Sequence, residues 1–233
     1  MRIKLTAAIA AFFVFTALQP LEAQNIPWNS LGTSVPPKQD RVKGIEVNKG
    51  EYYEVDGLPE AGSLTEGALI EIPMANGTLI QFELRSNSTL HPELQARFPE
   101  IRSFDVLAAD GSDYRGKVDF SHKGFHAMIY RPGHPVVFVD PLYLNDPSVY
   151  VAYEKESFQT DKAFECFVNA GDKYQIPDGA KADYNSCELR TYRIAISTTG
   201  EYTQFHGGTV ADALAAINTT MNRVNGLYER DFG

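Results

Sequence analysis

The sequence predicts an α+β protein, a β-rich unit followed by a strand and a long helix. Three observations predict it. Short apolar segments with period-two alternation, divided by Gly, Pro and Asn, recur from about residue 42 to 160. A polar, breaker-rich stretch then interrupts the pattern over 169–186. Beyond it, residues 209–230 carry the strongest helical periodicity of the chain.

Taken in order, the N-terminus reads as a secretory signal peptide over 1–23. Arg2 and Lys4 form a basic start, the run from Leu5 to Leu18 holds nothing more polar than threonine, and Pro20 ends it. Ala23 then offers a small residue before Gln24, completing the order of basic, apolar and cleavage regions. The run is short for a bilayer span, so secretion without a membrane anchor is expected. Residues 24–41, with Pro27, Pro36 and Pro37, read as a mobile lead-in.

The β-rich unit is expected over 42–168. Residues 68–74 and 78–84 read as strands joined at Asn76-Gly77, a hairpin signal. In the second, Ile80, Phe82 and Leu84 share one face and Leu79, Gln81 and Glu83 the other. A short helix is expected over 91–98, where Leu94 and Phe98 stand one turn apart. Strands follow near 101–108, 115–120, 124–130, 136–140 and 148–153, with Gly111, Gly116, Gly124 and Arg131-Pro132-Gly133 as punctuation.

The polar stretch 169–186 is the expected linker and an exposed site for proteolysis. After it, Leu189–Ser197 reads as a strand with Tyr192, Ile194 and Ile196 on one face, and a turn is expected at Thr199-Gly200. In the helix over 209–230, Val210, Ala213, Leu214, Ile217, Met221, Val224 and Tyr228 make an apolar stripe. Thr209 and Asp212 resemble a capping box at its start. One strand and one helix cannot bury each other's apolar faces. Two outcomes fit the spacing: residues from 189 onward open a further domain, or they add to the β-rich unit and complete its core.

The formal net charge of −9 over 233 residues disfavours nucleic acid and anionic membranes as partners. The two cysteines, Cys166 and Cys187, are disulfide candidates in an oxidising compartment, and no CxxC is present. Two cysteines alone do not make a structural zinc site. Cys166 also has the chemistry of a thiolate that occupies the open position of a catalytic zinc, and a buried free thiol is a third outcome.

No HExxH, GxSxG, GxGxxG or GxxxxGK[ST] occurs, and no catalytic residue is identified. His122 and His126 stand four apart, but on a strand they would be about 13 Å apart at roughly 3.3 Å per residue, too far to share a metal. Both are expected at the surface or a strand edge. His206, before Gly207-Gly208, is expected to anchor a loop or meet solvent, and Asp110 and Asp113 to be solvated turn residues. Asn76, Asn87 and Asn218 each open an Asn-x-Thr triplet, the glycosylation acceptor of a secreted protein.

The run from Cys187 through Tyr192-Arg193-Ile194-Ala195-Ile196, then Thr199-Gly200-Glu201-Tyr202, His206-Gly207-Gly208, Met221-Asn222-Arg223-Val224-Asn225 and Tyr228-Glu229-Arg230-Asp231-Phe232 resembles a known family. It is similar to the opening of the catalytic domain in secreted reprolysin-like zinc metallopeptidases, metzincins of the M12B type in the form found in Bacteroidetes-like bacteria. The stretches His91-Pro92-Glu93-Leu94, Gly124-Phe125-His126-Ala127-Met128-Ile129 and Val139-Asp140-Pro141 resemble their pro-region.

The resemblance implies a β-rich pro-domain over 42–168 and the first strand and helix of an incomplete α/β metzincin catalytic domain over 187–233. It implies a secreted zymogen acting on protein or peptide substrates. Zinc held by HExxHxxGxxH would activate a water, with the motif's glutamate taking its proton. That motif is not among these residues, so no catalytic or metal ligand is carried over, and the chain as it stands is expected to be inactive. The resemblance leaves Cys166 as a regulatory zinc ligand, although Cys166-Phe167-Val168 departs from the Cys-Gly-Val of related pro-domains. The rival expectation from a different class is a complete secreted binding or protease-inhibitory protein. An extracellular adhesion module is a third, which the unit after 189 does not favour.

Overall fold

Strand alternation, read along the chain, builds one large sheet. The computed structural model describes residues 25–34, 42–87, 89–160 and 193–232. Its strands are β1 (Trp28–Gly32), β2 (Glu46–Val47), β3 (Glu51–Val55), β4 (Leu69–Pro73) and β5 (Leu79–Ser86). After helix α1 (Pro92–Arg97) come β6 (Arg102–Ala108), β7 (Arg115–Ser121), β8 (Gly124–Tyr130), β9 (Val137–Tyr143), β10 (Asp146–Glu154) and β11 (Phe158–Gln159). Helices α2 (Gly200–Phe205) and α3 (Val210–Phe232) complete the described elements.

Nine strands form the sheet in the order β1-β3-β10-β9-β8-β7-β6-β5-β4, while β2 and β11 make a separate two-stranded ribbon. Neighbouring strands run antiparallel, and from β4 to β10 the order follows the chain as a meander. The sheet is curled. Its two edges meet where Trp28 of β1 donates its indole N–H to the Glu71 carbonyl of β4 at 2.7 Å. The Trp28 ring also stands edge-on to Tyr53, Phe125 and Tyr150 at centroid distances of 5.8, 5.8 and 5.3 Å.

That position corrects the expectation of a mobile lead-in for this stretch. Trp28–Gly32 pairs with β3, and the partly buried Trp28 ring packs against the core.

The inner face holds the core. Phe82, Leu84, Phe104, Val118, Phe120, Phe125, Ile129 and Val139 are each at most 1% exposed. Each such side chain contributes roughly 1.5–3 kcal/mol by leaving water. Alternation then sends Ser103, Asp105, Lys117, Asp119, His126, Met128 and Asp140 to the outer face, since their strand neighbours point in. A second apolar cluster on that face, around Tyr52, Leu142, Val151 and Tyr153, lies beside Ile45 and Val47.

The hairpin at Asn76-Gly77 forms as expected, with β4 and β5 paired from Leu69 opposite Glu83 to Pro73 opposite Leu79. Gly116 is not punctuation. It sits inside β7, paired with Ile129, where a Cβ would run into the Met128 carbonyl oxygen. Among the described residues 193–199 no strand forms, and Ile194 and Ile196 are 68% and 45% exposed. Nothing there offers a partner strand, and without ladder hydrogen bonds alternation alone does not hold a strand. The expected turn at Thr199-Gly200 is the start of α2, whose N-cap Thr199 accepts from the Tyr202 amide. The Leu189–Tyr192 part of the expected strand lies outside the described residues.

Candidate functional site

The outer face of the sheet is charged, and α3 lies across it. The amphipathic pattern predicts that a helix buries its apolar stripe. Here the sheet takes the polar side instead, while in the apolar stripe Ala213 is buried and Leu214, Ile217, Met221 and Val224 are half-buried. Asp212, Ala215, Asn218, Asn222 and Gly226 are the buried positions along the sheet-facing side of α3, joined by Thr219 and Arg223. Val210 and Tyr228, at the ends of the apolar stripe, are 72% and 63% exposed. About half a turn separates the two stripes at 3.6 residues per turn. The segment 193–205 covers part of the apolar side, leaving a cavity of about 380 Å³ bounded by Ile196, Tyr202, Ile217 and Met221.

Three groups of contacts make the seam. At the start of α3, Thr209 Oγ1 donates to Asp212 Oδ2 at 2.7 Å and accepts from the Asp212 amide at 3.1 Å. This is the expected capping box, and it has a second use. Asp212 Oδ1 lies 2.6 Å from Lys123 Nζ and 2.8 Å from His122 Nε2 in the β7–β8 turn. Lys123 above all, then Thr209, holds the Asp212 carboxyl well below the usual range.

In the middle, Asn222, fully buried, donates from Nδ2 to the Val118 carbonyl at 2.9 Å. Its Oδ1 accepts from Asn87 Nδ2 at 2.9 Å. Asn218 accepts from Ser103 Oγ at 3.0 Å, and Thr219 Oγ1 donates to Asp119 at 2.6 Å. His126 Nδ1 lies 3.3 Å from the same Asp119 oxygen, an ion-pair distance without hydrogen-bond alignment. Arg223 reaches Asp140 Oδ1 at 2.5 Å, and the other Asp140 oxygen accepts from the Tyr153 hydroxyl at 3.0 Å. Burial, then the Asp140 charge, pushes the Tyr153 hydroxyl far up, so it stays a donor. The Arg223 guanidinium also lies over the Phe138 ring, 5.0 Å from its centroid.

Toward the end of α3, Lys117 Nζ stands 2.6 Å from both Asp105 and Glu229, with its side chain 3% exposed. Burial alone would lower its pKa, but the two hydrogen bonds outweigh that and raise it, so the ammonium stays charged. Just above, Gly226 lets the helix settle. A Cβ there would come within 2.8 Å of both Lys117 Cγ and Met128 Cε.

These positions change how the weighed residues stand. His122 is exposed in the β7–β8 turn, as expected, and there meets Asp212 of α3, whereas His126 is half-buried beside Asp119 of the neighbouring strand β7. Asn218 is 1% exposed, so it is no glycan acceptor while α3 is docked. His206 caps α2, its ring 4.4 Å from Tyr202 and 5.0 Å from Phe205, at the mouth of a cavity of about 620 Å³ beside Phe138, Tyr153 and Phe158. Asp110 and the adjoining turn are solvated as expected, with Asp110 Oδ1 accepting from the Ser112 amide at 2.9 Å. Cys166 and Cys187 lie outside the described residues.

The seam missed by motif search has its own sequence signal. Asp212, Ala215, Thr219, Asn222, Gly226 and Glu229 recur at alternating three- and four-residue steps, a small and polar stripe with helical period. Chemically the arrangement holds rather than reacts. Each seam carboxylate faces a cation or a hydroxyl. No group of three or more His, Cys, Asp or Glu among the described residues is placed to hold a metal ion, so these residues do not fit a zinc site. No helix among the described residues is long and apolar enough to cross a membrane.

The family model of metallo-peptidase family M12B, reprolysin-like, matches residues 188–233, the stretch that contains α2 and α3. That match relates this part of the chain to the metallopeptidases, a family that acts on proteins or peptides. No curated protein and no solved structure matches the chain.

Proposed function

We propose that this chain is the N-terminal part of a secreted zinc metalloendopeptidase precursor. Its parts are a signal peptide at 1–23, a β-rich pro-domain at 42–168, a linker at 169–186 and the opening of the catalytic domain from 187. The observation that carries the reading is the inverted packing of α3, within the stretch that the family model matches. A helix that belonged to the core of the sheet would bury Leu214, Ile217 and Met221 against it. This one gives the sheet its polar side and keeps the apolar stripe for another core. Contacts between separate domains are more polar than cores, as this seam is.

On this reading the sheet holds the first long helix of the peptidase while the precursor is silent. The zinc ligands belong to residues other than these, so no catalytic step is assigned to any side chain here. Reading the gene beyond the Gly233 codon tests the proposal. A frame that continues to HExxHxxGxxH is expected, and a stop codon at that point would overturn it. The purified 233-residue chain is expected to show no zinc-dependent cleavage of a peptide library.

A further inference from the structure

The precursor reading leaves one feature without a role, the cavity of about 620 Å³ lined by the β2–β11 ribbon, the outer face of the sheet and helices α2 and α3. We propose that this cavity binds an apolar monocarboxylate, its apolar body against an aromatic wall and its carboxylate at Lys155. The site is complete within the described residues and does not depend on the precursor reading.

The volume falls within the range of small-molecule sites, roughly 300–1,000 Å³. One wall is a stack of rings. Tyr153 lies parallel to Phe138 at a centroid distance of 5.7 Å and to Phe158 at 6.4 Å. The stack is fixed at its middle, because Tyr153 is 4% exposed and its hydroxyl donates to Asp140. From α3, only the small side chains of Ala215 and Ala216 stand among the apolar lining, which keeps the space open. Phe158 of the ribbon and Phe205 of α2 line the same cavity and are 46% and 57% exposed. A ligand body between them takes both rings out of water.

The polar lining sets the sign of the ligand. It holds Lys123, Lys155 and Arg223 but a single carboxylate, Asp140, in a chain of net charge −9. Asp140 is already taken by Arg223 and Tyr153, and Lys123 by Asp212. Lys155 has no ion-pair partner among the described residues, and Glu154 and Glu156, its neighbours in sequence, do not line the cavity. Arg223 also keeps Nε buried without a partner, and a guanidinium only donates, so donor capacity is left over. A carboxylate supplies the missing acceptor and countercharge. An ammonium would meet only cations and a carboxylate already engaged.

The test is isothermal titration calorimetry of the 233-residue chain with dodecanoate, 3-phenylpropanoate and dodecyltrimethylammonium. Saturable one-to-one binding of a carboxylate is expected, with the ammonium about tenfold weaker or worse. Tighter binding of dodecanoate would identify the body as an alkyl chain, and tighter binding of 3-phenylpropanoate as a ring; either result supports the proposal. Lys155→Glu is expected to weaken the carboxylate about fivefold, Lys155→Arg to retain it, and added salt to weaken it in the unsubstituted chain alone. Ala216→Trp, which fills the space, is expected to abolish binding. Phe158→Ala, at an exposed position, is expected to weaken it without unfolding the chain, and a thermal melt of each variant checks the fold. Val210→Gln, exposed and outside the cavity, is expected to change nothing. Failure of both carboxylates to bind the unsubstituted chain would overturn the proposal. So would equal binding of the ammonium, or carboxylate binding that survives Ala216→Trp and Lys155→Glu alike. None of these results depends on how the gene continues beyond the Gly233 codon, and that continuation tests the precursor reading by itself.

Discussion

Asp140 sits on the outer face of β9, 2% exposed, with a charge that its own strand does not neutralise. Arg223 supplies the countercharge from α3, and Tyr153 the remaining hydrogen bond. Removing one partner of such a pair costs more than the pair contributes, because a desolvated charge is left behind. Arg223→Met is expected to destabilise the docked helix by about 2–4 kcal/mol, and Asp140→Asn in the same chain to recover part of that loss. Denaturant titration with hydrogen-exchange protection of the α3 amides checks both. His206 makes a second, pH-dependent case. Burial, then the Lys123 charge, holds its imidazole below the ordinary 6.5, with Asp212 pulling the other way. The neutral ring is the form that the fold favours. Its stabilisation is present above the unfolded value and lost as pH falls below about 6.5. An NMR titration is expected to place the His206 midpoint below that of an unfolded peptide.

At the scale of the element, α3 shows what periodicity can and cannot say. Its start, its length and its capping box were all legible, because Thr209 and Asp212 act locally and the apolar repeat is long. Its orientation was not. A hydrophobic stripe states which side of a helix seeks a core, but not whether that core is the neighbouring one. Strand alternation was legible in the same way from 68 to 153, since each strand there has at least one ladder partner to turn pattern into structure. It misled at 193–197, where no partner exists among the described residues. It could not show that the outward residues of β7, β8 and β9 are buried charges rather than solvent-facing ones. Asp212→Ala tests the start of the element. Loss of the cap costs about 1 kcal/mol and loss of the Lys123 contact adds to it, so amides in the first turn of α3 are expected to exchange faster. The depressed Asp212 pKa means that this contribution persists until pH falls below the usual carboxylate range.

For the whole molecule, the two faces of α3 separate two claims on one helix. Ile217→Gln and Met221→Gln, at half-buried positions beside the 193–205 segment, are expected to loosen that segment but to cost the 233-residue chain less than a substitution in the sheet core. If the proposed precursor reading holds, the same changes in the longer chain are expected to cost several-fold more, because the stripe would there meet a core of its own. Phe120→Ala in the sheet core is expected to cost about 3–5 kcal/mol in either context. The proposed division between a sheet with its own core and a helix that belongs to another domain thus has a measurable signature at distant sites.

Two methionines report most directly on that division. Met128 lies under Gly226 on the sheet, 2% exposed, while Met221 stands on the far side of α3. Brief hydroxyl-radical labelling of the folded chain, read by peptide mass spectrometry, compares them. Faster oxidation of the half-buried Met221 than of Met128, and loss of the Met128 protection in Gly226→Leu, is the predicted result. Protection of Met221 with labelling of Met128 would place the apolar stripe against the sheet and contradict the account.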